Sequence, residues 1–318
     1  MPSSRDTSLA DSFATGASEI SKRRVRSKAE VLLTLKSLAG KIISRAARLP
    51  LIEPGLNRPA VRRALEGKPG AHLLYAHGWS RRHPFDRRYG TDTSGTVPIE
   101  QLTSTPLLQQ HGVFYAGSQP SVVRAGLNAL PPVNGFTFVD IGCGKGRVVL
   151  VASEYPFARI VGVDMSNDLL EVARRNAETV RRREPARPAI EFIQADATTF
   201  GFPPGDLVVY LYHPFDAPLM ARVVAQLERA LAEQPRRLFV VYCNPVAGHC
   251  YDDSAPFTRY YAETVPYSDE DLGFGPDVAD PVVIWQAGTL PAPATTSASR
   301  VEIVVTPPRR RAVLHPRP

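Results

Sequence analysis

The sequence predicts an α/β domain built on a seven-stranded, mostly parallel sheet with helices on both faces. An antiparallel hairpin is expected at one edge, and a helical, irregular N-terminal extension in front. Three observations predict this. From Pro120 onward, short β-branched apolar runs alternate with longer stretches of helical period, and each parallel pair of strands needs such a crossover. The first run passes directly into a glycine-rich turn and then a helix, Val139-Asp140-Ile141-Gly142-Cys143-Gly144-Lys145-Gly146-Arg147. The last two runs have no long helix between them, which is the pattern of a hairpin.

In chain order, residues 1–27 are rich in Ser, Thr, Ala and charge without a sustained apolar period, and are expected to be a disordered basic tail. Between Lys28 and Arg48, Val31, Leu32, Leu35, Leu38, Ile42 and Ile43 recur at spacings of three and four. That is an amphipathic helix with Lys36, Lys41 and Arg45 outside and a stripe expected to pack on the main domain. Proline, glycine and arginine dominate residues 50–100, which read as a wrapping segment, so that 28–111 form one extension. Strands are expected at 136–140, 159–164, 190–194, 206–212, 237–243, 257–265 and 282–287, with helices at 147–153, 167–183 and 217–233. The main domain is placed at 112–290. Residues 291–318 are read as a Pro-rich basic tail with one short strand candidate at 301–305.

Charge is uneven along the 318 residues. The first 70 carry 14 Lys/Arg against 6 Asp/Glu and the last 28 carry 5 against 1, so the net charge of +7 belongs to the ends. Such arms either bind a polyanion such as nucleic acid or are simply solvated. Neither Lys22-Arg23-Arg24-Val25-Arg26 nor Arg309-Arg310-Arg311 has an interleaved aromatic for base stacking, which favours the solvated reading. Three cysteines, Cys143, Cys243 and Cys250, are too few and odd for a disulfide framework and fit a reducing, cytoplasmic setting. Cys243, His249 and Cys250 lack the spacing of a metal site. No apolar run is long enough for a membrane span, and Asp6, Asp11 and Glu19 interrupt any secretory signal.

The glycine turn carries the most chemistry. Glycines at alternate positions let backbone amides approach a ligand and open a helix N-terminus to it. A dinucleotide fingerprint would need Gly or Ala at position 147, which is Arg147, and no P-loop pattern occurs. Asp140, just below the turn, would repel a pyrophosphate and attract an ammonium or sulfonium. The next strand ends in Asp164, placed to accept two hydrogen bonds from a ribose diol. The third ends in Gln194-Ala195-Asp196-Ala197, where Asp196 can accept from an adenine amine and Ala197 offers a backbone amide.

On these residues the chain resembles the class I S-adenosyl-L-methionine-dependent methyltransferases, a Rossmann-like fold, over about residues 112–290. The resemblance implies a cofactor site of Asp140, Gly142, Cys143, Gly144, Gly146, Asp164, Asp196 and Ala197. Upstream, Phe114-Tyr115-Ala116-Gly117-Ser118-Gln119-Pro120-Ser121 is similar in part to the Tyr-x-x-Thr/Ser entrance of lysine methyltransferases of the disruptor-of-telomeric-silencing type, which adds Tyr115. Tyr212-His213-Pro214-Phe215, after the fourth strand, resembles the Asn-Pro-Pro-Tyr loop of enzymes that methylate planar amines, with His213 for asparagine and Phe215 for the second proline. It implies methyl transfer to an amine-type acceptor, a protein side chain or a small molecule. His213 is the candidate base, with Tyr212 and Phe215 as stacking residues or plain caps of the sheet.

Other residues have plainer readings. Asn244-Pro245 on the same rim is read as a turn, Cys143 as a small buried residue, and Lys145 and Arg147 as surface ion-pair partners. The segment 85–95 resembles one found ahead of the core in uncharacterised bacterial methyltransferase-like proteins and is expected to form a lid over the cofactor. Two other functions share the pocket: a non-catalytic module that holds the cofactor or its demethylated product, and aminopropyl transfer.

Overall fold

The structure is a computed structural model that describes residues 39–288, apart from 44, 48, 50, 66–67, 69–70, 76–77 and 103–105. Both tails, the polyanion expectation that rests on them, and most of the helix at 28–48 lie outside these residues. Residues 39–43 and 45–46 of that helix are helical, and Ile42 and Ile43 are exposed.

A small antiparallel pair, β1 (Thr96–Val97) and β2 (Tyr115–Ala116), precedes the main sheet. The sheet holds β3 (Thr137–Ile141), β4 (Arg159–Asp164), β5 (Ile190–Gln194), β6 (Leu207–Tyr212), β7 (Arg237–Cys243), β8 (Thr258–Pro266) and β9 (Ala279–Gly288). Their spatial order is β5-β4-β3-β6-β7-β9-β8. All neighbours pair in parallel up to β7, and β9 runs antiparallel to both β7 and β8, which is the expected hairpin at the edge. The chain leaves β3 toward β4 and returns to β6 on the other side. The crevice outside the carboxyl ends of β3 and β6 is therefore the topological switch point where such sheets bind ligands.

Near-continuous apolar strands result from cover on both faces. Phe138 of β3 and Tyr210 of β6 point to one core, with Val122, Val149 and Val180 from covering helices, while Val139 and Val209 point to the other with Met220, Val223 and Leu227. The helix Asn167–Arg183 starts where the Ser166 hydroxyl accepts from the Leu169 amide, with Asp168 in its first turn and three arginines in its last, matching the helix dipole. At the centre of the sheet Gly162 of β4 lies between Asp140 of β3 and Phe192 of β5. A Cβ there would come within 2.9 Å of the Cys143 sulfur and 3.0 Å of the Phe192 ring. Gly162→Ala is expected to cost about 1–3 kcal/mol by overpacking, read as a lower midpoint in urea unfolding.

The wrapping segment is more ordered than its composition suggests. It contains short helices, among them Pro59–Leu65 and Pro84–Tyr89, and is fastened to the far edge of the domain. Arg62 donates to the Gly275 and Asp277 carbonyls at 2.9 and 3.0 Å. His83 Nδ1 accepts from the Phe85 amide, so Nε2 carries the proton and faces Gln119 and Asp271. No helix among the described residues is long and apolar enough to cross a membrane.

Candidate functional site

A cavity of about 250 Å³ opens at the switch point. Its floor is the end of β3 and the turn after it, with Asp140, Gly142 and Cys143 on the lining. One side is formed by Asp164 to Ser166 and by Ala195 and Ala197, the other by the turn after β6 from Tyr212 to Phe215, with Asn244 beyond it. The roof comes from Trp79, Ile99 and Leu102 of the extension and from the stretch Gly112–Gln119 at the start of the domain. Trp79 and Phe114 stack edge to face with centroids 5.3 Å apart.

Two carboxylates dominate the floor. Asp140 is buried, and its Oδ2 has no hydrogen-bond partner. Burial pushes its carboxyl well above the usual range, and the neighbouring Asp164 adds to this. Asp164 accepts from the Gly144 amide through Oδ2 and from the Ser166 amide through Oδ1, both at 2.9 Å, so it clasps the glycine turn to the next helix. Its carboxyl is also pushed up by burial, against the pull of those amides.

Gly142, Gly144 and Gly146 all have positive φ, which explains the alternating glycines. Gly144 and Gly146 do not line the cavity. A Cβ on Gly144 would lie 2.2 Å from the Tyr115 ring, so this glycine exists to let Tyr115 close over the turn. The Tyr115 hydroxyl donates to the Thr93 carbonyl at 2.7 Å. Cys143 is buried, and burial raises its thiol pKa, as a small packing residue requires. Asp196 is also off the lining; its Oδ1 accepts from the Thr198 amide and hydroxyl at 2.8 Å, while Ala195 and Ala197 on either side of it face the cavity.

Tyr212, His213 and Phe215 are brought together on the opposite wall. His213 has φ 38, a conformation its surroundings must hold, and Asn244, one strand over, has φ 49, which asparagine adopts more readily than other L residues. The His213 turn is tied down by a bridge between Gly112 and Phe215 and by His111 Nδ1 at 2.7 Å from Asp216 Oδ2. Nδ1 of His213 is buried without a partner, and burial lowers its pKa below the ordinary value. The Tyr212 hydroxyl donates to Asp280 Oδ2 at 3.0 Å, and Tyr267 donates to the same oxygen at 2.8 Å.

Asp280 gives a pH prediction. Burial pushes its carboxyl up to about 7, with the Tyr267 and Tyr212 hydroxyls pulling it down and Asp277 pushing it up. The folded chain thus holds this proton to higher pH than the unfolded chain. The stability it contributes is full below about pH 4 and is lost as pH rises toward 7, by up to about 4 kcal/mol. Denaturant titrations at pH 5 and 8 should show a smaller pH-dependent loss for Asp280→Asn than for the wild type. Equal losses would contradict the assignment.

Two expectations need correction. Arg147 is not a surface ion-pair partner: it is 4% exposed and its guanidinium is bonded inward, because the segment ahead of the domain folds over it. Segment 85–95 is not a lid: none of its residues lines the cavity, and Phe85, Asp86 and Tyr89 are buried behind the glycine turn. Lys145 does form a surface ion pair, 3.3 Å from Asp92. Trp79, Ile99, Leu102 and Asp277 on the lining, and Asp280 behind Tyr212, carry no signal in the sequence as site residues, since only chain crossing far from the glycine motif brings them there. The signal available for Tyr115 was its local pattern.

A family model described as a methyltransferase domain matches residues 138–234. The chain is 34% identical over 88 residues to trans-aconitate 2-methyltransferase of Azoarcus sp. (strain BH72), covering 27% of this chain and 31% of that protein. It is 27% identical over 146 residues to release factor glutamine methyltransferase of Chlorobaculum tepidum, covering 46% and 42%. Among solved structures, an S-adenosylmethionine-dependent methyltransferase from Mesorhizobium loti is 17% identical, covers 51% of this chain and 96% of its own, and has a TM-score of 0.37. The chain spans a quarter to about half the length of the curated relatives it matches.

Proposed function

We propose that the chain, whose residues 138–234 match the methyltransferase-domain family model, transfers the methyl group of S-adenosyl-L-methionine to an amine-type acceptor. The observation that carries this reading is the orphaned Asp140 Oδ2 in a cavity at the switch point: a buried acceptor without a partner calls for a cation or donor from the ligand.

The residues present fit that cofactor. Asp140 would face its positive groups, Asp164 would offer its remaining lone pairs to the ribose hydroxyls, and Ala195 and Ala197 would give the base an apolar edge. Tyr115 would cover the amino-acid end and Gly142 and Cys143 would approach it with bare backbone. Asp196 belongs to the same proposal as the carboxylate beside that edge. Domain limits of 28–111 for the extension and 112–290 for the catalytic unit are part of this reading.

When bound, the cofactor supplies a methyl group on a sulfonium, which needs a nucleophile held in line more than it needs acid-base help. The protein's part is positioning. Tyr212 and Phe215 form the wall for the acceptor, and the Tyr212 hydroxyl, committed to Asp280, keeps that ring in place. His213, neutral because burial lowers its pKa, takes the proton of a protonated amine at its unpartnered Nδ1. Asn244 on the same rim can accept from the amine hydrogens.

The test is transfer of radiolabelled methyl from S-adenosyl-L-methionine to components of a cell lysate, followed by mass spectrometry of the labelled product. Label on nitrogen is expected. Label on oxygen or carbon removes the amine reading, and cofactor binding without transfer leaves a binding module.

A further inference from the structure

The segment 90–95, bounded by Gly90 and Gly95, is held in place by Arg147. Arg147 lies on the cavity lining, and all five N–H groups of its buried guanidinium are engaged by the protein itself. Nε donates to Thr93 Oγ1 at 2.7 Å, Nη1 to the Gly117 and Ser118 carbonyls at 3.2 Å each, and Nη2 to the Thr93 carbonyl at 3.0 Å and Ser94 Oγ at 3.3 Å. The counter-charge is Asp86, fully buried, 3.8 Å from Nη2. Its Oδ1 accepts from the Thr91 hydroxyl and from the Thr93 amide and hydroxyl, and its Oδ2 from the Ser94 hydroxyl.

The same short segment is held twice more. Asn176 pairs with both backbone groups of Asp92, at 2.8 and 3.0 Å, while also donating to the Lys145 carbonyl. Lys145 Nζ donates to the Ser94 carbonyl at 2.8 Å. The Thr93 carbonyl that Arg147 holds is the one that receives the Tyr115 hydroxyl, and Tyr115 lies on Gly144. Gly117 is glycine for the same reason: a Cβ there would be 2.6 Å from the Arg147 guanidinium carbon.

We propose that Arg147, with Asp86 as its buried counter-ion, is a positioning residue that latches residues 92–94 and the carbonyls of 117–118 onto the glycine turn, so that the pocket wall bearing Tyr115 is in place only while the latch is engaged. The inference rests on the cofactor reading above for what the pocket holds, and on its own geometry for the latch. It makes the arginine after the third glycine a brace for the pocket, and makes residues 92–94 part of the site although none of them lines the cavity. A lysine, with three donors at one point, cannot replace a planar fork that reaches five acceptors.

The test uses the full chain and S-adenosylhomocysteine as the probe, with affinity read by calorimetry and amide hydrogen exchange read without ligand. Arg147→Gln is expected to weaken binding about 30-fold, with Arg147→Lys no better, since bonds to a buried charge are among the stronger ones. Thr93→Val, which keeps the backbone and the buried ion pair, is expected to weaken it about fivefold. In both Arg147→Gln and Thr93→Val, amides of 115–119 should exchange faster while β6 and β7 stay protected. Binding within twofold of wild type in Arg147→Gln, or a loss of affinity matched by equal loss of protection in β6 and β7, would overturn the latch. If the wild type itself binds no S-adenosylhomocysteine, the cofactor reading fails, and unchanged exchange at 115–119 in the variants would sink the latch separately.

Discussion

Asp140→Asn is expected to weaken S-adenosyl-L-methionine binding by about 100-fold, the value of a charge-assisted contact in a dry site, while making the ligand-free chain more stable at pH 8. Both effects have one cause. The Asp140 carboxyl is buried, its Oδ2 is unpartnered, and burial with the nearby Asp164 raises its pKa. The folded chain therefore holds that proton to higher pH than the unfolded chain, and its ionisation above the raised value costs stability that asparagine does not lose. A bound cation reverses the balance, because it stabilises the ionised form. Calorimetry with the sulfonium cofactor and with its neutral thioether product separates the contributions: the loss should be larger for the cation. Thermal unfolding without ligand at pH 8 should show a higher midpoint. An Asp140→Asn chain that binds the cofactor like wild type would remove the carboxylate from the site.

Gly144→Ala is expected to weaken cofactor binding about 100-fold, although Gly144 does not line the cavity. Its φ of +52 is costly for any L side chain. A Cβ would also stand 2.2 and 2.4 Å from two carbons of the Tyr115 ring. That ring cannot swing away freely, since its hydroxyl is bound to the Thr93 carbonyl that Arg147 also holds. Removing the obstacle should restore part of the loss, so the double variant Gly144→Ala, Tyr115→Ala is expected to bind better than the sum of the two single effects allows. Strict additivity in that cycle would show that the clash is not the cause. Circular dichroism of each variant checks that the sheet is intact.

How much of this could be read beforehand depended on the range of the interactions. Strands β4, β5 and β7 and the helices Asn167–Arg183 and Ala217–Glu233 have the bounds their apolar periods predict. Ends without a sharp local signal moved: β9 begins at Ala279 rather than 282, because pairing with β8 extends it ahead of its apolar run. Asp140, Asp164 and the turn residues Tyr212, His213 and Phe215 follow each other at strand ends, so the parallel sheet alone gathers them at one rim. Arg147 was misread for the opposite reason. Charge in a turn is ordinarily solvated, and its acceptors lie 29 to 54 residues upstream, on a segment whose composition carries no period.

The layered α/β sheet, the glycine turn beside a pair of carboxylates, and the rim on which they meet are legible from the residue pattern. These depend on periodicity, on positive φ and on strand order, all local or topological. Packing settled the rest: Asp140 keeps an unpaired oxygen, Asp280 holds two tyrosines, and Arg147 on the cavity lining is buried with Asp86 behind it. Each of those depends on which groups are cut off from water, and desolvation is a property of the packed chain rather than of any stretch within it.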